Sequence, residues 1–118
     1  MSIRYNLFFD KPQFIQSSVY GCEFRNCSKV IIAGSVDKCT FINCDIVGIC
    51  GSCYNSKFIN CTDISIKRLC NNSNFKNCEY ILVSGMIEDC IRDGKLYDDG
   101  YYTAPKYIPN DASAPDNI

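Results

Sequence analysis

The sequence predicts an all-β chain wound into a small parallel β-solenoid with 17-residue coils. Three observations carry this. First, one hexapeptide recurs four times, as CEFRNC at 22–27, CTFINC at 39–44, SKFINC at 56–61 and SNFKNC at 73–78. It places Phe24, Phe41, Phe58 and Phe75, then Asn26, Asn43, Asn60 and Asn77, then Cys27, Cys44, Cys61 and Cys78, at a constant spacing of 17. Second, apolar columns outside the hexapeptide keep the period: Val30, Val47, Ile64, Ile81; Ile32, Ile49, Ile66, Val83; and Val36, Cys53, Cys70, Ile87. Third, the apolar positions within a unit lie mostly two apart and are β-branched, which is the alternation of half-buried strands. A unit of 17 residues cannot bury an apolar face alone, and it is shorter than helical or leucine-rich repeats. Stacked coils with rungs about 4.8 Å apart can bury a common one.

In chain order, residues 1–21 fit the period poorly and read as an N-terminal cap with a degenerate coil. Leu7 falls in the Phe column by the count of 17, Ile15 and Val19 match Ile32 and Val36, and Phe8, Phe9 and Phe14 are extra bulk. Pro12 marks a turn or edge. Residues 22–90 hold four regular coils. Asn in the hexapeptide suits a tight bend, because Asn tolerates the left-handed conformation and its amide can bond to its neighbours in a ladder. Gly34, Gly51 and Gly85 repeat as turn residues. After Cys90 the pattern stops. Residues 91–118 hold Pro105, Pro109 and Pro115 and four tyrosines, Tyr97, Tyr101, Tyr102 and Tyr107. This stretch reads as an extended C-terminal arm, in which tyrosines offer large contact area to a partner or fold back as a cap.

The hexapeptide, over residues 19–90, resembles the repeats of right-handed parallel β-helices. Its Cys-, Asn- and Phe-rich style is similar to short coils common in proteins encoded by giant DNA viruses. The resemblance implies right-handed winding with Phe and Cys inside and Asn at a corner. It also implies a place in a virion, as a minor capsid or cement-like component, with capsid proteins as partners.

Composition narrows the function. Lys and Arg total 12, Asp and Glu total 13, and His is absent, for a net charge of −1. That balance argues against electrostatic capture of nucleic acid, and the missing His removes the commonest general base and metal ligand. No run of about 18 apolar residues predicts a membrane span. The opening MSIRYNLFFDKPQF is broken by Asp10, Lys11 and Pro12 and does not read as a classical secretion signal. Together with what the resemblance implies, the expected location is a virion or host cytoplasm. The ten Cys read first as small core fillers. A disulfide between rungs is the second reading. A zinc site is the third, built on Cys50 and Cys53 with Cys39, Cys44, Cys61 and Cys70 near them. A matching second C-x-x-C is missing, so no cofactor is expected.

Two functional readings come from different classes. The first is a non-enzymatic structural module that binds other proteins, homo-oligomer included, through its outer face and arm. Outward apolar residues at Ile31, Ile42, Ile46, Ile59, Tyr80 and Leu82, with Ile42 and Ile59 on adjacent rungs, make the patch. Ile42, Ile59, Tyr80, Leu82, Tyr97, Tyr101, Tyr102 and Tyr107 are the candidate binding residues. A soluble host-directed module outside any particle is a variant of this reading. The second is a reduced carbohydrate-active β-helix using Asp45, Asp63 and Glu79, for which two carboxylates two rungs apart would be about 9.6 Å apart.

Overall fold

A computed structural model of the chain describes residues 2–97. Five coils of three short strands each are followed by the start of a sixth. The first coil is β1 (Ser2–Arg4), β2 (Leu7–Phe9) and β3 (Gln13–Ile15). The second is β4 (Ser18–Tyr20), β5 (Glu23–Arg25) and β6 (Lys29–Ile32), and the third β7 (Val36–Asp37), β8 (Thr40–Ile42) and β9 (Ile46–Ile49). The fourth is β10 (Cys53–Tyr54), β11 (Lys57–Ile59) and β12 (Asp63–Ile66), and the fifth β13 (Cys70–Asn71), β14 (Asn74–Lys76) and β15 (Tyr80–Val83). The last winding is β16 (Ile87–Glu88), β17 (Cys90–Arg92) and β18 (Lys95–Tyr97). Three parallel sheets result, in the orders β1-β4-β7-β10-β13-β16, β2-β5-β8-β11-β14-β17-β18 and β3-β6-β9-β12-β15. No helix occurs among the described residues.

Register follows the sequence period through residues 22–90: Phe24 pairs Phe41, Phe41 pairs Phe58 and Phe58 pairs Phe75. The rings stack on the rungs, with centroids 4.9, 4.8 and 4.9 Å apart and planes within 8°. All four rings are fully buried. Val30, Val47, Ile64 and Ile81 stack likewise along the third sheet.

Two corners of each coil require positive φ. Between the second and third sheets stand Asn26, Asn43, Asn60 and Asn77, with φ of 56°, 55°, 56° and 56°. Each amide donates to the side-chain oxygen one coil earlier: Asn43 Nδ2 to Asn26 Oδ1 at 3.2 Å, Asn60 to Asn43 at 3.1 Å and Asn77 to Asn60 at 2.7 Å. Between the first and second sheets a further left-handed column runs through Gly21, Lys38, Asn55, Asn72 and Asp89. There Asn55 Nδ2 donates to Asp37 Oδ1 at 2.9 Å and Asn72 to Asn55 at 2.7 Å. Asn supplies the ladder bond and lowers the cost of the left-handed backbone, which is about 1–2 kcal/mol for other residues. The third corner uses glycine for a different reason. A Cβ on Gly51 would lie 2.8 Å from the Gly34 carbonyl oxygen, so the coils approach too closely for a side chain.

The inner cysteines are polar spacers as well as fillers. The Cys44, Cys61 and Cys78 thiols donate to the carbonyls of Phe24, Phe41 and Phe58, one coil earlier, at 3.6, 3.5 and 3.5 Å. At the first position of the hexapeptide, the side chain accepts the backbone N–H of the preceding coil. Cys22 N–H reaches Cys39 Sγ at 3.4 Å, Cys39 N–H reaches Ser56 Oγ at 3.2 Å and Ser56 N–H reaches Ser73 Oγ at 3.2 Å. Cys and Ser substitute for each other in this column because both are small acceptors.

The two ends depart from the sequence expectation. Residues 2–17 form a full coil whose register is set by a shortened corner. Asp10, at φ 59°, takes the Asn position, since its N–H bonds to Arg25 O as the Asn26 N–H bonds to Ile42 O. Lys11 and Pro12 then stand where the next coil has Cys27, Ser28 and Lys29. One residue fewer puts Phe8, and not Leu7, opposite Phe24, with ring centroids 4.7 Å apart. Leu7 faces out at 62% exposure. Ile15 and Val19 take their expected partners, Ile32 and Val36.

At the other end, residues 91–97 belong to the solenoid rather than to an arm. The chain reverses at Asp93-Gly94, with φ of 51° and 81°, and β18 pairs antiparallel with β17. Asp-Gly is a strong type I′ hairpin signal. Two side chains then replace the missing coil. Arg92, on the rung after Phe75, donates through Nη2 to the carbonyls of Cys78 at 3.3 Å and Glu79 at 3.1 Å. Asp93 Oδ1 accepts the Asn77 N–H at 2.8 Å, where earlier coils offer a backbone carbonyl.

The third Asn of the first ladder is testable. Asn60→Ala loses both amide bonds and keeps the left-handed strain, so urea unfolding should show a loss of about 2–3 kcal/mol. Asn60→Gly relieves the strain and should cost visibly less.

Candidate protein-binding surface

The outward positions of the sheets can be read by register. On the second sheet one outward column runs Phe9, Arg25, Ile42, Ile59, Lys76 and the other Leu7, Glu23, Thr40, Lys57, Asn74, Ile91. Ile42 and Ile59 are adjacent, as the sequence indicates, but half-buried, with Arg25 and Lys76 on either side. Arg25 is also paired with Glu23 on the same strand. Tyr80 is half-buried beside Asp63 on the third sheet.

Leu82 differs from its expected exposure. It occupies an outward position opposite Ser65 but is only 8% exposed, and it lies outside the inner cluster. Alternation fixes which way a side chain leaves the sheet and not what lies over it, so Leu82 is not an open contact residue. Tyr97 holds the end of β18, its backbone opposite Cys90. Tyr101, Tyr102 and Tyr107 lie outside the described residues.

The largest apolar exposure lies where it was not sought. Tyr5, Leu7, Phe9 and Phe14 are 69%, 62%, 46% and 63% exposed, all on the first coil. On this coil β1, β2 and β3 each present a strand edge that is unpaired among the described residues, and Ile3 and Phe8 are only partly buried. The sequence signal was available. Leu7 and Phe9 flank the inward Phe8, and Phe14 stands between inward Gln13 and Ile15, so alternation alone turns all three outward. A second, smaller patch joins Ile91 and Leu96, paired across the terminal hairpin and 41% and 69% exposed.

The residues with chemical potential do not converge. Asp45 and Glu79 are exposed, while Asp63 stands on β12 opposite Ile46 and Tyr80. Burial raises the Asp63 carboxyl above its ordinary range. A shallow depression beside the second corner is lined by amides and hydroxyls of Asn55, Asn72, Asn74, Ser56 and Ser73, with Lys57 and Asp89 at its rim. The C-x-x-C pair divides: Cys53 is fully buried and Cys50 half-exposed. Among the described residues no three His, Cys, Asp or Glu groups are placed to hold a metal ion. No helix among them is long and apolar enough to cross a membrane.

Fold and surface together define a class: a Cys-, Asn- and Phe-rich parallel β-solenoid repeat protein whose first coil is apolar and exposed among the described residues. Comparison with protein-family models, with curated proteins and with solved structures finds no match to this chain.

Two measurements check this surface. All ten thiols are free and nine are buried, so Cys50 alone should react with iodoacetamide in the folded protein, and the rest only on unfolding. Asp63 is the second. Its native carboxyl binds a proton more readily than the unfolded one, so its contribution to stability falls as pH rises through the native pKa. Asp63→Asn should therefore be more stable than the parent at neutral pH, and the gap should close below the ordinary carboxylate range.

Proposed function

We propose that this protein is a non-enzymatic structural module that binds other proteins, with the first coil as its principal docking surface. The observation that supports this is the exposure of Tyr5, Leu7, Phe9 and Phe14 on the one coil that, among the described residues, leaves three strand edges unpaired. Several large apolar side chains exposed on one coil are the kind of surface that marks interaction sites, and open strand edges are templates for pairing. The half-buried Ile42–Ile59 pair and the C-terminal segment, with Tyr101, Tyr102 and Tyr107, supply secondary contacts in this reading. In this reading the repeat style supports a role in a large virus particle, as a minor capsid or cement-like component with capsid proteins as partners. A rigid solenoid suits that role because its shape is fixed by repeated backbone pairing and does not depend on a bound ligand.

The test uses outward residues, which the core does not need. Leu7→Glu combined with Phe14→Glu should leave the melting temperature within a few degrees and circular dichroism unchanged. In particles from the native source, Lys11, on the same coil, should crosslink to one abundant coat protein, and the double variant should be missing from the particles. Recovery of the parent protein only outside particles would favour the host-directed module. A normal yield of the double variant in particles would remove the first coil from the reading.

A further inference from the structure

The thiols of the core meet one another in two geometries. Along Cys27, Cys44, Cys61 and Cys78, neighbours lie on successive rungs about 4.8 Å apart with parallel side chains, beyond the usual Cβ spacing of a disulfide. Cys70 and Cys90 are different. Cys70 belongs to the column of Val36, Cys53 and Ile87 on the first sheet, and Cys90 opens β17 on the second. They converge across a corner, with Sγ atoms 3.6 Å apart and both residues fully buried. One coil earlier the equivalent pair is Cys53 and Ser73, also at 3.6 Å, and two coils earlier it is Val36 and Ser56. The last coil is thus where this corner contact joins two sulfurs.

We propose that Cys70 and Cys90 form a dithiol–disulfide couple that staples the final coil, with a low-molecular-weight disulfide such as glutathione disulfide as oxidant. The Cys90 thiolate attacks one sulfur of the oxidant, whose S–S bond breaks and releases one small thiol. Cys70 then attacks the Cys90 sulfur of the mixed disulfide and expels the second. Two protein thiols and one small disulfide become one protein disulfide and two small thiols, which carry off the two electrons and two protons. The Cys70 thiol beside it brings the Cys90 thiol down to about 7, so Cys90 is the nucleophile of the pair. Neighbouring Cys53 and Cys90 raise Cys70, which suits the resolving position. Access comes through the end of the solenoid. Among the described residues, β16 is the last strand of its sheet and β17 is covered only by the three-residue β18, so this coil opens at lower cost than the middle ones.

The experiment uses the full chain with Cys50→Ser, a change that the Ser84 rung of the same column supports. The protein is equilibrated near neutral pH in buffers of reduced and oxidised glutathione, then alkylated in denaturant, digested and mapped by mass spectrometry. The expected product links Cys70 to Cys90 alone, and it raises the melting temperature by roughly 10 °C, reversibly with dithiothreitol. Cys90→Ser reproduces the Ser already present at positions 56 and 73. It should fold like the reduced parent and show neither the link nor the shift. Links within the Cys44–Cys61–Cys78 column, full alkylation of Cys70 and Cys90 in the most oxidising buffer, or a shift that survives in Cys90→Ser would each overturn the proposal.

Discussion

Parallel pairing at one coil per rung is the constraint on which the structure depends. It forces each side chain to lie over its counterpart one coil away, about 4.8 Å distant. A residue is acceptable only if it packs against a copy of itself or a close substitute. Phe satisfies this by stacking and Asn by passing an amide bond along the column. Cys and Ser satisfy it by being small and able to exchange hydrogen bonds with the backbone. The composition follows from that requirement, and so does the low tolerance for charge inside: the fully buried residues are apolar, with Ser52, Ser56 and Ser73 as the buried polar ones.

A stack built this way is defined at its middle and exposed at its ends. The C-terminal end is closed by substitution. A hairpin covers one sheet edge, Arg92 serves two carbonyls that another coil would have served, and Asp93 supplies the acceptor that Asn77 needs. The N-terminal coil has no comparable device among the described residues, and its outward side chains are the most apolar of the surface. Among the described residues, one end is therefore closed by its own side chains and the other leaves its strand edges and apolar side chains exposed.

The period of 17 made the coils legible because four copies of three columns leave a single register. It failed where the count itself changed. One residue missing at Lys11–Pro12 moved Phe8 into the Phe column and turned Leu7 outward, and no count of identical spacings can see a deletion in a single copy. The hairpin at Asp93-Gly94 was legible by turn chemistry but was obscured by the tail beyond it. The second left-handed corner, through Gly21, Lys38, Asn55, Asn72 and Asp89, was hidden because its occupants share a backbone conformation and not a residue type. Exposure was the least legible. Ile42 and Ile59 were placed correctly on adjacent rungs, yet Arg25 and Lys76 flank them, and Leu82 is covered although it leaves the sheet outward. The exposed apolar set on the first coil required the correct register before alternation could reveal it.

The amide columns also give the rod an electrical direction. All five side-chain bonds at the two corners run the same way, each Nδ2 pointing toward the N-terminal end and each Oδ1 receiving from the C-terminal side. Their dipoles add along the axis and polarise one another, so an interior member is worth more than a terminal one. The sequence sets carboxylates toward the N-terminal ends of both columns, Asp10 before Asn26 and Asp37 beneath Asn55. An anion there is matched to the positive end of an aligned amide chain. The solenoid in this respect behaves as an array of oriented dipoles, with carboxylates matched to its positive end and Asp89 and Asp93 set against its negative end, a property no single coil possesses.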